Sequence, residues 1–212
     1  MKIEVFADVL CPWCYIGKRR LAAALAELGG PDAPAVVWRA FELDPGASRV
    51  PGPTAAEAMA EWWGEKAPER VALIGSTGAA EGLELNLHLA RPVSTFDAHR
   101  LGHLAGRRGR ADEVLERLLR AYHTEGLNVA DHDVLARLGE EAGLDGGEVR
   151  AMLSGDAHAE DVAADRRRAA ELGVTGVPSL VIGGAPPVSG VRPVAELRRL
   201  LESAVIGTVR PA

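Results

Sequence analysis

Hydrophobic periodicity changes character twice along this chain, and those changes limit the folds that it can form. Residues 3–7 and 36–41 are rich in β-branched and aromatic side chains, which predicts two strands. Between them, apolar side chains recur at helical spacing and predict a helix that begins at Cys11-Pro12 and stops at Gly29-Gly30. A strand, a helix and a strand in this order make a βαβ unit, so the two strands should pair in parallel.

The middle of the chain has the pattern of helices only. A Pro- and Gly-rich stretch over residues 45–53 ends the β pattern. From residue 54 to about residue 168 the periodicity is almost wholly helical, with a capping box at Thr54 and Glu57 and a further helix start at Asp145. The aliphatic and aromatic stripes on these helices predict core packing rather than a cofactor site.

The β pattern returns at the end of the chain. Residues 179–182 predict a strand, Gly183-Gly184 a turn and Val188-Ser189 a short return strand, so these residues should form a hairpin before a last helix that Pro193 opens. The sequence therefore predicts an α/β fold of the order βαβ, helical insertion, ββα. The predicted domains are residues 1–50 and 169–212 for the two parts of the α/β domain and residues 51–168 for an all-helical insertion domain.

Composition excludes several classes of protein. The 212 residues are 47% hydrophobic and 25% charged, which is ordinary for a globular protein with a sizeable core. With 24 Lys and Arg against 30 Asp and Glu, the net charge of −6 gives no general attraction to nucleic acid. No stretch has the length and apolar character of a signal peptide or a membrane span. We therefore expect a cytoplasmic protein with no membrane and no nucleic-acid partner. The sequence allows a homodimer without requiring one.

The chain has two cysteines, Cys11 and Cys14, and only two residues separate them. A structural disulfide framework would need several scattered pairs, so a lone close pair indicates redox chemistry or metal binding. At a helix start, the unpaired N–H groups and the helix dipole favour a thiolate. Cys11 is expected at the exposed helix tip and Cys14 one turn inside, shielded. That arrangement suits an attacking thiolate and a second thiol that releases the mixed disulfide.

Other residues belong with this pair as supporting or substrate-binding positions. Pro12 fills the first helical position, and Trp13 offers an apolar flank with no proton-sharing group. Val177-Pro178 stands just before a predicted strand, where a cis bond would turn the Val177 backbone toward the thiols to dock a substrate chain. A trans proline at a strand start is the alternative. Asp8 would steady the loop by accepting backbone N–H bonds, shuttle a proton, or serve only as a turn residue.

Short motifs are spread over nearly the whole chain. The first are Asp8, Cys11-Pro-Trp-Cys14 and Val177-Pro178. The others are Cys14-Tyr-Ile-Gly17, Phe41-Glu-Leu-Asp-Pro45, Thr95-Phe-Asp-Ala-His-Arg100, Tyr122-His-Thr-Glu-Gly126 and Val188-Ser-Gly190. Together they resemble the signatures of DsbA-like thioredoxin-fold oxidoreductases, and most closely the FrnE-like branch. The resemblance implies a thioredoxin-like fold interrupted by the helical insertion, with Cys11 as nucleophile, Cys14 as resolving thiol and Pro178 in cis.

Two positions depart from the family pattern. Trp13 stands where some DsbA-like enzymes carry a histidine that strengthens oxidising power, so strong oxidant behaviour is not expected. Ser94 stands where asparagine is expected before Thr95, which affects a pocket-lining amide and not the thiol chemistry. The resemblance implies an enzyme that exchanges disulfides with a protein or a low-molecular-weight thiol and needs no cofactor and no metal.

Three alternatives stay open. A zinc site would combine Cys11 and Cys14 with His99 and His103, although 84 residues separate Cys14 from His99, far more than the usual spacing. A glutathione-dependent isomerase of the 2-hydroxychromene-2-carboxylate type, or a kappa-class transferase, shares the split architecture. Those isomerases generally carry serine at the nucleophile position and lack the second cysteine. A non-enzymatic helical interaction module would need an unreactive dithiol.

Overall fold

The structure, a computed structural model, describes residues 2–29 and 34–209. Gly30, in the predicted helix stop, lies outside the described residues. The strands are β1 (Lys2–Ala7), β2 (Ala35–Ala40), β3 (Ser179–Ile182) and β4 (Val188–Ser189). The helices are α1 (Pro12–Leu28), α2 (Ala55–Trp63), α3 (Ala67–Ala80), α4 (Phe96–Arg107), α5 (Ala111–His123), α6 (His132–Glu141), α7 (Gly146–Ser154), α8 (Ala159–Leu172) and α9 (Val194–Val209), and a short 3₁₀ helix covers Gly64–Lys66.

The strands form one sheet in the order β2-β1-β3-β4. β1 and β2 pair in parallel, as the βαβ pattern predicts, with Ala7 opposite Ala40 at the end of both strands. β3 is antiparallel to β1 and places Ser179 opposite Phe6, and β4 completes the predicted hairpin. Because β3 begins beside the end of β1, the residues that precede β3 lie next to the turn from β1 into α1.

The sheet is covered on both faces, so β1 is buried on both sides. Ile3 and Val5 pack with apolar residues of α1 and α9, whereas Phe6 packs with Ala169 and Val174 on the opposite face. Burial of each such side chain stabilises the fold by about 1.5–3 kcal/mol. A strand fixed in this way holds the turn that follows it at a defined position.

Helices α2 to α8 lie between β2 and β3 in the chain, and α2 to α7 share one apolar core, whereas Ala169 of α8 packs on the sheet. The predicted stripe on α4 is buried in it, and the predicted capping residues hold their helices, with Thr54 at the start of α2 and Asp145 at the start of α7. Val9, from the turn after β1, belongs to the same core. The helical segment therefore packs directly against the turn that carries the cysteines.

One stretch departs from the predicted helical pattern. Residues 81–95 form turns and extended chain rather than helix. Gly82 has a φ of 73°, which favours glycine and ends α3, and tertiary contacts hold the rest, since Leu87, Ala90 and Val93 are buried in the helical core. Local periodicity misses this segment because its burial is set by packing and not by a repeat.

The order βαβ, helices, ββα is the predicted one. The division into domains stays a prediction, and its boundary at residue 168 falls within α8. The cytoplasmic location and the homodimer also stay predictions. Among the helices of the described residues, none combines the length and the apolar character needed to cross a membrane.

Candidate active site

The two cysteines occupy the start of α1. Cys11 is the residue before the helix, with an extended backbone, and Pro12 fills the first helical position as predicted. The N–H of Cys14 donates to the carbonyl oxygen of Cys11 at 2.9 Å. The first turn of α1 contains no acidic residue and no side chain caps it. The helix N-terminus therefore remains able to stabilise a negative charge on a sulfur.

Cys11 is more enclosed than the sequence suggests. Its residue is 6% exposed and Cys14 is 2% exposed, so the expectation of an exposed Cys11 is wrong, whereas the shielding of Cys14 is as expected. Trp13, Trp38 and Val177 pack against the cluster that contains both cysteines. The cover on Cys11 includes a loop from the far end of the chain, which the spacing of the motif does not reveal.

The Val177-Pro178 loop lies against Cys11, and the peptide bond between these two residues is cis. The S–H group of Cys11 donates to the carbonyl oxygen of Val177 at 3.6 Å. A Cβ added at Gly17 of α1 would lie 2.9 Å from Cγ of Pro178 and 3.0 Å from the carbonyl oxygen of Gly190. Gly17 and Gly190, which belong to two of the sequence motifs, thus allow close packing around Pro178.

The environment of Cys14 keeps a proton on its sulfur. Burial raises the pKa of the Cys14 thiol well above its usual value, and the hydrogen bond and charge of Cys11 and the charge of Asp8 act in the same direction. The backbone N–H of Asp8 donates to Sγ of Cys14 at 3.5 Å and partly opposes them. The surroundings of Cys14 therefore favour the protonated thiol.

Asp8 is a fully buried carboxylate at the end of β1. It accepts N–H bonds from Leu43 at 2.7 Å and from Leu10 at 3.4 Å, contacts of the kind that the first of its three possible roles, steadying the loop, requires. His99 of α4 brings Nε2 to 3.3 Å from Oδ1. Burial alone would raise the pKa of Asp8, but His99, the Leu43 amide and the Thr95 side chain outweigh it and leave the pKa below its ordinary value.

His123 of α5 lies behind the active-site loop, and sequence reasoning missed it. The residue is fully buried, and its ring centre lies 4.8 Å from that of Tyr122 and 6.2 Å from that of Tyr15. Burial lowers the pKa of His123 to about 4, although polar contacts with the backbone of Val9 and Cys11 partly oppose it. His123 is therefore a neutral imidazole at neutral pH.

Glu42 is the second residue that the sequence reasoning missed. It follows β2, and burial raises the pKa of its carboxyl, as does the charge of Asp8, whereas His99 opposes them. Glu42, His99 and His123 all belong to motifs that carried the family resemblance. Their place in these motifs was the signal that could have identified them as site residues. A motif does not, however, show which side chains are in contact in the fold.

The histidines of the zinc alternative are engaged elsewhere. His99 faces Asp8, and Nε2 of His103 lies 2.9 Å from Oδ2 of Asp165 rather than near the cysteines. In the part of the chain that the structure describes, no three His, Cys, Asp or Glu side chains converge in a way that could hold a metal ion.

With this fold and this dithiol, the chain belongs to the DsbA-like thioredoxin domain family, whose model matches residues 2–202. The predicted thioredoxin-like fold and the DsbA-like resemblance are thereby confirmed. A solved structure from Streptomyces coelicolor, described as a probable DsbA oxidoreductase, is 39% identical, with a TM-score of 0.92 and coverage of 100% of this chain and 92% of that one. The chain is an enzyme of the disulfide oxidoreductase or isomerase kind.

Two more distant structures show the range of this fold. The cytosolic disulfide reductase DsbM from Pseudomonas aeruginosa with glutathione is 22% identical, with a TM-score of 0.68 over 97% of this chain and 100% of that one. A 2-hydroxychromene-2-carboxylate isomerase is 20% identical, with a TM-score of 0.71 over 99% of this chain and 97% of that one. At such identities the likeness shows the fold alone, so the residues of the site must decide the chemistry.

Proposed function

We propose that this protein is a FrnE-like thiol–disulfide oxidoreductase in which Cys11 attacks a disulfide and Cys14 resolves the product. The observation that carries the proposal is the unequal placement of the two sulfurs on α1. Cys11 stands at the helix N-terminus with its sulfur against the Val177 carbonyl, whereas Cys14 lies deeper and its environment favours the protonated thiol. Such an arrangement separates a nucleophile from a resolving thiol.

In the first step, the Cys11 thiolate attacks one sulfur of a substrate disulfide. The substrate S–S bond breaks, one substrate sulfur leaves as a thiolate, and a mixed disulfide forms on Cys11. Cys14, once deprotonated, then attacks the Cys11 sulfur and releases the second substrate thiol. Two electrons pass from the dithiol to the substrate, and the reverse sequence oxidises a substrate dithiol. The substrate class is a protein or a low-molecular-weight thiol.

The Val177 backbone supplies a docking group in this mechanism. Its carbonyl accepts the Cys11 S–H, and that bond ends when Cys11 becomes a thiolate or joins a mixed disulfide. The carbonyl is then available to an extended substrate chain, in the manner of an added strand. Trp13 and Leu10 pack against the helical core, so the insertion shapes access to the same side of Cys11.

The glutathione-dependent isomerase or kappa-class transferase is the less supported function. An isomerase of this type needs one nucleophilic position and no resolving thiol. Here Cys14 lies in the same buried cluster as Cys11, and its sulfur accepts the N–H of Asp8, which favours dithiol exchange.

Insulin-disulfide reduction tests the proposal, with Cys11→Ser and Cys14→Ser as variants matched to each other. We expect Cys11→Ser to lose the activity, because no attacking thiolate remains. Cys14→Ser should instead accumulate mixed disulfides, visible as an added mass that a reductant removes. Equal activity of Cys11→Ser and wild type would refute the mechanism. Turnover of an aromatic isomerase substrate by Cys14→Ser would favour the other function.

A further inference from the structure

Asp8 and His99 form a buried pair behind Cys14. Asp8 lies at the end of β1, His99 comes from the second turn of α4, and their residues are 0% and 9% exposed. Nε2 of His99 is 3.3 Å from Oδ1 of Asp8, but this contact misses hydrogen-bond geometry, and the described residues offer that nitrogen no other partner. A buried polar atom without a hydrogen bond is costly because it has lost its contact with water. Such a cost invites a functional explanation.

The Asp8 carboxylate also accepts the amide of Leu43 on Oδ2 and the amide of Leu10 on Oδ1, the oxygen that His99 faces. His99 is therefore the titratable side chain in direct contact with this carboxylate. The other titratable or charged groups that act on the pair come from the elements packed around it. They are Cys14 from α1, Glu42 after β2, and Tyr122 and His123 from α5, with Arg166 of α8 acting on Glu42.

The resolving step sets an electrostatic problem at this position. Cys14 must lose a proton although it is 2% exposed and lies near the negative charge of Asp8. A thiolate beside a carboxylate places two like charges in a poorly solvated site, where their repulsion is much stronger than in water. The repulsion disappears if the proton stays close by, because the site then keeps the same net charge throughout the step.

We propose that His99 is a positioning residue for the resolving step, acting through Asp8, and that the pair takes up the proton that Cys14 releases. This inference rests on the proposed roles of Cys11 and Cys14. The proton is held between Oδ1 of Asp8 and Nε2 of His99 while Sγ of Cys14 bonds to Sγ of Cys11. The bond from Cys11 to the substrate sulfur breaks, and its electron pair leaves on that sulfur.

The surroundings also provide a route by which the proton can pass from the pair to solvent. Exposure rises from Asp8 to His99, and Glu42, which interacts with both, is half-buried at the start of an exposed loop. Once the substrate thiolate has gone, the proton passes from the pair toward this side and reaches solvent. The pair is then ready for the next resolving step after the dithiol has been reduced again.

Rapid mixing with dithiobis(nitrobenzoate) tests the inference, because each of the two steps releases one coloured thiolate. His99→Gln keeps a side-chain N–H near Asp8 but cannot hold a proton. His103→Gln is the matched control, since His103 stands one turn later on α4 and contacts a different buried carboxylate, Asp165. We expect His99→Gln to leave the first release unchanged and to slow the second about tenfold or more, which is about one pKa unit of proton affinity. His103→Gln should leave both releases unchanged.

The pH profile and a double variant exclude a merely structural effect. The second release in wild type should rise with pH through the titration of the pair, and His99→Gln should lose that inflection. If His99 acts through Asp8, the variant that combines Asp8→Asn with His99→Gln should resolve no more slowly than Asp8→Asn alone.

A wild-type rate and profile for the second release in His99→Gln would overturn the inference, as would an equal loss in both releases or additive effects in the double variant. If the proposed roles of Cys11 and Cys14 were wrong, the same experiment would give a different result. In that case Cys11→Ser would retain the first release, or Cys14→Ser would retain the second.

Discussion

The buried imidazole of His123 couples folding to pH in a way that can be measured. Burial holds the pKa of His123 at about 4, against 6.5 for the free group. A depressed pKa means that the unfolded chain binds the proton more tightly, so protonation favours unfolding. The contribution of this group is fully present above pH 6.5 and is lost as the pH falls toward 4.

The size of the loss follows from the difference between the two pKa values. Each unit is worth about 1.4 kcal/mol, so the free energy of unfolding should fall by about 2 kcal/mol between about pH 7 and about pH 5. The total should reach about 3 kcal/mol at lower pH, as an upper bound. The side chain is 0% exposed, so solvent screening does not reduce this figure in the native structure.

Urea unfolding of wild type and His123→Gln at the two pH values isolates the effect. The variant cannot titrate, so its stability should fall less than that of wild type by about 2 kcal/mol over this interval. Protonation of carboxylates with a lowered pKa, such as Asp8 and Asp97, lowers the free energy of unfolding of both proteins. This contribution therefore cancels when the two proteins are compared. His88→Gln, at an exposed histidine, should keep the wild-type dependence. A variant that loses stability as steeply as wild type would refute the buried neutral imidazole.

Two further changes test packing and capping. Gly17→Ala should destabilise the protein by about 1–3 kcal/mol, since its Cβ would meet Pro178, whereas Gly75→Ala, where a Cβ meets nothing within 4 Å, should be neutral or stabilise by up to about 1 kcal/mol. Similar unfolding midpoints for the two variants would contradict the close approach. Thr54→Ala removes the oxygen that accepts the Glu57 N–H at 3.2 Å and should cost about 1 kcal/mol in urea unfolding, with Thr54→Ser close to wild type. A full loss in the serine variant would show that the hydroxyl is not the cause.

Features fixed by neighbouring residues could be predicted from the sequence. Pro12 begins α1 as expected because a proline costs no hydrogen bond at the first helical position, and Gly183-Gly184 forms the hairpin turn because both residues adopt positive φ. The parallel pairing of β1 and β2 follows from the helix between them. The same local reasoning fails for residues 81–95, where tertiary burial replaces periodicity.

In the candidate site too, the features set by neighbouring residues could be predicted from the sequence, and those set by tertiary contacts could not. Only two residues separate Cys11 from Cys14, so their position at the helix start could be predicted from the sequence. The cover that Val177 places on Cys11 and the contact of His99 with Asp8 join distant parts of the chain, and no local pattern encodes such contacts. The Thr95–Arg100 motif carried part of the family resemblance, but only the fold shows that His99 of α4 contacts Asp8.

Those long-range contacts indicate what controls each sulfur. Cys11 meets the helix N-terminus and the Val177 carbonyl. The sulfur of Cys14 instead accepts the N–H of Asp8, and His99 of α4 is one of the groups that lower the pKa of the Asp8 carboxyl. Under the proposed mechanism, a graft of the Cys-Pro-Trp-Cys segment into another thioredoxin-like protein would transfer the attacking thiol without Asp8 and His99, the pair proposed to assist the resolving thiol. Under the proposed mechanism, α4 belongs to the redox centre because it supplies His99, and it does more than cover the dithiol.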